Sequence, residues 1–299
     1  RARTSTPSTP PPTTGTPMAS SPAELAVPRV PAVVGRPRTP RGTLAALAVV
    51  GAVGVSAHGV GFDLGELLAG AGPIERFVEQ MLPPDLSAAT LASTARGILQ
   101  TFEMSLLGAM LGAAVALPLG LAATAEGMEA GAGRLGAVAA AGRQLARLAL
   151  NVFRSVPDIL WALLFVVALG LGPFPGTLAL AVHSAGVLGK LFAETLETVP
   201  LRPVEALGSI GATRFQRLLF GRLPQAAGGL VSLTMYQWEC NIRSAAILGF
   251  VGAGGIGQQI LVAMNLFDYP KVATLVAVTI LAVLAVDRLS AAARARLAV

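Results

Sequence analysis

The sequence is poor in the residues that disulfides, metal sites and soluble surfaces require. It has one cysteine, Cys240, and two histidines in 299 residues, so no intrachain disulfide can form and no metal-ligand spacing is present. Only 13% of its residues are charged, whereas soluble domains carry about 25%. The hydrophobic share is 54% and the mean hydropathy is +0.68. This composition predicts an integral membrane protein, and the 34 glycines agree because small residues let membrane helices approach closely.

The formal charge of +6 indicates membrane orientation and not nucleic-acid binding. Cytoplasmic loops of membrane proteins carry an excess of lysine and arginine. In a chain with so little charge and so much apolar sequence, we assign the excess to that bias. No nucleic-acid partner is expected.

The sequence also lacks a nucleotide site. The glycines Gly252, Gly254, Gly255 and Gly257 match a GxGxxG pattern, but no βαβ sequence pattern surrounds them. We therefore expect a tight, irregular backbone turn that lines a pathway near the outer face. No P-loop with a Gly-Lys-Ser/Thr ending is present, so ATP-driven transport would require a separate ATPase subunit. No cofactor and no metal are predicted.

The hydropathy pattern predicts an all-α fold, a polytopic bundle of transmembrane helices. Residues 1–42 are rich in proline and threonine, lack the apolar content to fold, and are predicted to be a disordered cytoplasmic tail. Residues 43–299 are predicted to form one transmembrane domain. Its expected spans are 43–61, 98–124, 148–171, 174–194, 227–249 and 270–289.

Basic segments alternate with non-basic ones along this series of spans. The tail before the first span, the segments 125–147 and 195–226, and the C-terminal end are basic, whereas 62–97 is acidic and the turn at 172–173 is uncharged. The alternation predicts that both termini lie in the cytoplasm. It places residues 195–226 in the cytoplasm as well.

Residues 204–225, VEALGSIGATRFQRLLFGRLPQ, are predicted to form a short amphipathic helix between two spans. Pro224 is expected to stop it. Such a helix can lie on lipid or dock into a groove on a soluble partner, and the order of residues favours docking. The predicted contacts are Glu205, Ala206, Gly211, Arg214, Leu223 and Pro224.

The fifth predicted span contains Glu239, Asn241 and Arg243. Charges inside hydrocarbon usually face the bundle interior or a wet pathway. Glu239 and Arg243 are four residues apart and can form an ion pair whose role is packing. Alternatively they line the pathway with Asn241, and the Arg243 guanidinium contacts an anion.

Other polar residues within the predicted spans have structural interpretations. Pro157 and Asp158 are typical of a helix start, and Arg154 precedes them. Lys190 is near enough to the cytoplasmic end to snorkel. For His183 we favour a hydrogen-bonded packing role over a pathway role.

Three further stretches combine with residues 205–224 into a family resemblance. They are RSVPDILWALLFVVALGLGPFPG (154–176), HSAGVLGKLFAETLE (183–197) and YQWECNIRSAAILGFVGAGGIGQQI (236–260). Together they resemble the PhnE family of phosphonate permeases, which belongs to the MetI-like class of binding-protein-dependent ABC importers. The resemblance covers roughly residues 90–297. Gly221 departs from the broad pattern, which has an aliphatic residue there.

The resemblance implies a permease and not an enzyme. Its partners would be a second permease copy in a homodimer, a dimer of ABC ATPase subunits and an extracytoplasmic phosphonate-binding protein, with the lipid of a bacterial inner membrane around the spans. The resemblance also implies that the segment 204–225 contacts the ATPase, through Glu205, Ala206, Gly211, Arg214, Leu223 and Pro224. Phosphonate, phosphite and phosphate remain alternative substrates. A permease of the same fold for another solute, such as methionine, and a secondary transporter driven by an ion gradient are the rival functions.

Overall fold

The computed structural model describes residues 40–124 and 134–297, and within these ranges the chain is helical and contains no strand. The predicted all-α fold is confirmed. The helices are α1 (Pro40–Gly59), α2 (Leu64–Ala69), α3 (Ala71–Gln80), α4 (Ala88–Ala123), α5 (Arg134–Ser155), α6 (Asp158–Leu169), α7 (Pro173–Thr198), α8 (Leu201–Ser209), α9 (Arg214–Gln216), a π-helical segment (Arg217–Arg222), α10 (Leu223–Leu248), a 3-10 turn (Gly249–Val251), α11 (Gly255–Asn265) and α12 (Tyr269–Leu297).

The chain divides after Leu67 into two units. The first contains α1, which begins at Pro40 and therefore includes the last three residues of the predicted tail. The rest of that tail lies outside the described residues. None of the residues of α1 from 42 onward is buried. Its apolar surface suits a helix that is surrounded by lipid.

Four helices of the described residues are long and apolar enough to span a membrane: α1, α4, α7 and α12. The count reaches six if each of two bent helix pairs forms one span. One pair is α5 with α6. The other is the helix from Arg214 to Val251 with α11, which meet at 40°. Charged and amide side chains lower the hydropathy of α10, so this helix is apolar enough to span a membrane only when it is counted together with α11.

The most extensive helix packing lies between α4 and α7, which run side by side in the same direction. Small residues recur at every fourth position of α4, and a Cβ atom at Gly108 would lie 2.7 Å from Leu180 Cβ. At Gly112 it would lie 2.5 Å from Ser184 Cβ, and at Gly120 2.9 Å from the Gly189 carbonyl oxygen. No side chain fits between backbones this close, so glycine sets the spacing of the pair.

The first turn of α4 is tied to the start of α12 through Asp85. The Asp85 N–H donates to the Pro270 carbonyl at 3.1 Å, and Thr274 Oγ1 donates to the Asp85 carbonyl at 2.7 Å. Ser87 caps α4 by accepting from the Thr90 N–H. Hydrogen bonds from the Thr90 hydroxyl and the Ser87 N–H hold the pKa of the Asp85 carboxyl below its ordinary value.

The predicted third span, 148–171, is wrong as a single helix. α5 and α6 meet at an angle of 89°, and the bend falls at Val156 and Pro157. The ring of Pro157 cannot continue α5 but suits the start of α6, where its ψ is 144°. Residues 134–147, predicted as a loop, are the first part of α5.

Two side chains satisfy the backbone oxygens that the bend leaves without helical partners. Trp161 Nε1 donates to the Phe153 carbonyl at 3.2 Å, and His183 Nδ1 lies 3.3 Å from the Val156 carbonyl. Carbonyl groups freed at membrane depth need such partners. His183 therefore has the hydrogen-bonded packing role that the sequence favoured.

Candidate functional site

The segment predicted to bind an ATPase folds as two helices joined by a turn. α8 ends at Ser209, and Gly211 adopts a left-handed backbone with φ of +85°. A new helix then starts at a capping box, in which Thr213 Oγ1 accepts from the Gln216 N–H and Gln216 Oε1 accepts from the Thr213 N–H. The prediction of one helix over 204–225 is wrong, because Gly211 reverses the chain direction between the two halves.

The expected stop at Pro224 is also wrong. The helix continues through Pro224 into α10, and the π-helical segment before it accommodates the proline. The Leu223 N–H donates to the Leu218 carbonyl five residues back. A wider turn of this kind tolerates the missing proline N–H, and Gln225 Nε2 donates to the Gly221 carbonyl at 2.6 Å.

α8 folds back onto the π-helical segment through a small apolar contact. Val204 and Leu218 are buried there, and a Cβ atom at Gly221 would lie 3.1 Å from Leu207 Cδ1. The glycine that departs from the family pattern therefore allows α8 to approach closely. A Cβ atom here would require the end of the Leu207 side chain to shift by a few tenths of an ångström, and a long aliphatic side chain would also meet Val204.

Arg222 fixes this arrangement to the rest of the bundle. Its side chain is buried, and Nη1 donates to the Leu196 carbonyl in the last turn of α7 at 2.7 Å. A cation at a helix C-terminus is stabilised by the helix dipole. From the sequence, Arg222 is one of the charges that make the segment 195–226 basic. Its position one turn after the apolar Leu218 could have indicated burial.

The tip of the segment is exposed and apolar. We call the exposed side chains around the turn the coupling tip: Ile210, Phe215 and Phe220. Ile210 is 80% exposed. Among the predicted contact residues, Glu205, Ala206, Gly211, Arg214 and Pro224 are exposed and Leu223 is half-buried. A shallow depression of about 320 Å³ beside the turn is lined by Leu207, Ile210, Gly211, Ala212, Gln216 and Phe220.

The charges of α10 form a network with α12. Arg294 Nη1 lies 2.8 Å from Glu239 Oε2. Arg243 lies 3.8 Å from Glu239 Oε1 and 3.5 Å from Asp287 Oδ2. Two cations thus face two carboxylates, so the network has no excess charge with which to attract an anion. Sequence spacing identified the pair of Glu239 with Arg243 but missed the shorter contact, which depends on the packing of α12.

Asn241 lies in the bundle interior and is 2% exposed. Its amide is 2.9 Å from Ser184 Oγ and 3.0 Å from Gln237 Nε2, and all three side chains are buried between α7 and α10. Such a satisfied polar cluster joins membrane helices. In the single chain Asn241 contacts protein and no open surface.

The glycine motif forms the irregular turn that the sequence predicts. Gly252, Gly254 and Gly255 have φ values of +83°, +83° and +73°. At Gly257 a Cβ atom would lie 1.8 Å from the Ala246 carbonyl oxygen, so only glycine fits. The first N–H groups of α11 are already bonded to α4, because Gly255 donates to Gln100 Oε1 at 2.8 Å and Ile256 to Thr101 Oγ1 at 2.9 Å. The last three glycines of the motif are buried against protein.

Helices long and apolar enough to cross a membrane, a broken span and an exposed apolar tip between helices fit a polytopic membrane protein. The chain belongs to the family described as the binding-protein-dependent transport system inner membrane component, which residues 132–299 match. It is therefore a permease subunit of a transport system and not an enzyme.

Relatives and solved structures agree with this assignment. The phosphite transport system permease protein PtxC of Stutzerimonas stutzeri is 35% identical over 232 residues, which are 78% of this chain and 80% of that protein. The phosphate-import permease protein PhnE of Mycolicibacterium smegmatis is 35% identical over 241 residues, which are 80% of this chain and 43% of that protein. A structure of inward-facing conformations of the MetNI methionine ABC transporter matches with a TM-score of 0.59 and 23% identity, over 71% of this chain and 99% of that one. The last comparison shows the shared fold.

Proposed function

We propose that this chain is the translocation subunit of an ATP-driven importer for a phosphorus oxyanion. Phosphonate, phosphite or phosphate passes through it into the cytoplasm, and a separate ATPase supplies the energy. The observation that carries the substrate class is the similarity to permeases named for phosphite and phosphate over more than three quarters of this chain.

The coupling tip supports the assignment of the ATPase contact. An exposed apolar patch rimmed by polar residues is typical of a protein interface. Ile210, Phe215 and Phe220 form such a patch, and Glu205 and Arg214 lie beside it on the exposed surface. Gly211 contributes the reversal that projects the patch away from the bundle, so its role is in the turn and not in close contact with the partner.

We infer the full assembly by analogy with the family. Two copies of the permease, arranged as a homodimer, sit over two ATPase subunits, and an extracytoplasmic binding protein delivers the substrate. Both termini and the coupling tip lie on the cytoplasmic side, as the alternation of basic segments indicates.

Reconstitution tests the substrate and the ATPase contact separately. Proteoliposomes that contain the permease, its ATPase and its binding protein should take up methylphosphonate, phosphite or phosphate when ATP is enclosed with the ATPase. Uptake of methionine but of none of these anions would refute the substrate class. The variant Ile210→Glu should abolish copurification of the ATPase, whereas Ile74→Glu, on exposed α3, should not.

A further inference from the structure

The polar side of α5 forms a continuous stripe that the sequence analysis did not recognise. Arg143, Arg147, Asn151 and Arg154 follow one another at intervals of four, four and three residues, which places them on one face of the helix. Three of these four residues are arginines and carry a positive charge. The stripe ends at the bend between α5 and α6.

This stripe is separate from the part of α5 that suits lipid. The exposed apolar side chains Leu145, Leu148 and Val152 lie about a third of a turn away from it around the helix. A third face, with Ala146 and Leu150, is buried against α4 and α7. Because α5 has an apolar exposed face as well as a polar one, the polar face is the one that suits water.

Arg154 lies beside the middle of α7, the part of a spanning helix that is nearest the membrane centre. A Cβ atom at Gly186 would be 2.5 Å from the Arg154 backbone nitrogen, so the two residues are in direct contact. Gly186 is the fourteenth of the 26 residues of α7, about 20 Å from either end of that helix. An arginine at the bilayer centre is unfavourable unless it meets water, protein or a ligand.

Arg154 is held in place without being neutralised. Its Nε and Nη2 donate to Asn151 Oδ1 at 3.1 and 2.9 Å, and its side chain is exposed. Among residues 40–124 and 134–297 no carboxylate lies within 4 Å of it. Asp158, the next acidic residue in sequence, instead accepts from the Ile159 N–H. An oriented guanidinium with donors to spare is the group that suits a phosphorus oxyanion.

A cavity lies beside the stripe, and Arg154 is linked to it through Asn151, one of its lining residues. It has a volume of about 290 Å³ and is lined by Ala123, Arg147, Leu150, Asn151, Lys190, Ala193, Glu194 and Glu197. Arg147 pairs with Glu197 and Lys190 with Glu194, each at 3.4 Å. The lining cations and carboxylates therefore balance, and Arg154 supplies the excess positive charge at the inner end through its contact with Asn151.

We infer that this groove between α5 and α7 is the cytoplasmic half of the substrate pathway and that Arg154 binds the phosphorus oxyanion half-way across the membrane. The inference rests on the proposed function, since it takes the substrate class from it. Asn151 is a positioning residue that orients the guanidinium. The ion pairs Arg147–Glu197 and Lys190–Glu194, which line the cavity, let the anion leave, because neither pair has a net positive charge that would retain it.

Charge rescue at a single cysteine tests the role of Arg154. In a Cys240→Ser background, Arg154→Cys should lower uptake of phosphite and methylphosphonate into proteoliposomes about 10- to 100-fold, the factor for one hydrogen bond to a charged group. Modification with 2-aminoethyl methanethiosulfonate restores a positive charge and should recover uptake, whereas methyl methanethiosulfonate, which adds no charge, should not. Enclosed substrate should slow the modification.

Two controls separate a pathway role from other roles. Leu148→Cys lies on the lipid face of the same helix and should react far more slowly with the charged reagent. Arg288→Cys removes an exposed arginine of α12 and should leave uptake unchanged.

Each further outcome overturns a defined part of the reasoning. If the background protein transports these anions and Arg154→Cys does so equally well, the pathway role is wrong and the proposed function stands. Rescue by both reagents, or loss of the permease dimer in Arg154→Cys, would make Arg154 a packing or interface residue. If the background protein transports neither anion, the proposed function fails and this inference fails with it.

Discussion

Removing each arginine that faces Glu239 tests whether the charges of α10 serve packing or transport. The Glu239 side chain is 12% exposed and that of its 2.8 Å partner Arg294 is 25% exposed. Arg243 lies 3.8 Å away and is 46% exposed. Arg294 also donates to Ser290 Oγ at 2.7 Å and lies over the Tyr236 ring. The geometry therefore assigns the stronger interaction to Arg294, although sequence spacing suggests Arg243.

The two substitutions should differ in their effect on stability. Breaking a fully buried ion pair costs about 3–5 kcal/mol, and an exposed pair contributes about 0–1 kcal/mol. Since Glu239 and Arg294 are only partly buried, we expect Arg294→Gln to lower the free energy of unfolding by about 2–3 kcal/mol, short of the fully buried limit. Arg243→Gln should cost less than about 1 kcal/mol, because Glu239 keeps its other partner.

Thermal unfolding of the purified permease in detergent measures the difference. Arg294→Gln should lower Tm clearly more than Arg243→Gln, and the double variant Glu239→Gln/Arg294→Gln should recover part of the loss. Equal losses in the two single variants would refute the reasoning. Uptake tests the alternative that Arg243 contacts the transported anion. In that case Arg243→Gln should keep its Tm but lose transport, and Glu239→Gln/Arg243→Gln should not regain transport.

Three further predictions follow from the turn, the topology and the helix packing. Gly211→Ala should weaken ATPase binding, because the φ of +85° at this position is strained for a residue with a Cβ atom. Gly211→Asn should retain more binding, since asparagine adopts this conformation more readily. Copurification of the ATPase measures both variants, and equal binding would contradict the role of the turn. A cysteine at Arg214 in a Cys240→Ser background should resist impermeant thiol reagents added outside intact cells, and labelling there would reverse the topology. Gly112→Leu should prevent stable folding, because Ser184 already lies within contact distance of a Cβ atom at this position. The Tm and the yield of the purified variant measure this effect, and wild-type values of both would exclude tight packing of α4 against α7.

The long apolar helices could be predicted because their signal is local. The predicted span 174–194 lies within α7, and 227–249 matches α10 to within a few residues. Hydropathy is summed over a window, so each span is visible whatever surrounds it. The membrane class followed from this signal, whereas the permease family followed from the resemblance of four short stretches of sequence.

The shape of the broken segments could not be predicted in this way. Pro157 indicated a helix start, but the 89° bend depends on Trp161 and His183, which satisfy the freed carbonyls from other parts of the chain. Likewise, the partner of Glu239 lies 55 residues away on α12. Sequence spacing shows neighbours on one helix and not the helices that pack against it.

The unbroken helix from Arg214 to Val251 links the coupling tip mechanically to the far side of the membrane. It has no bend of its own before the glycine turn, and its length is about 55 Å at the usual helical rise. A tilt of about 10° at the end that carries the coupling tip would therefore move the other end by about 10 Å, if the helix stays straight. With the ATPase contact that we propose, such a lever would convert a small displacement of the coupling tip into a large movement of the glycine turn.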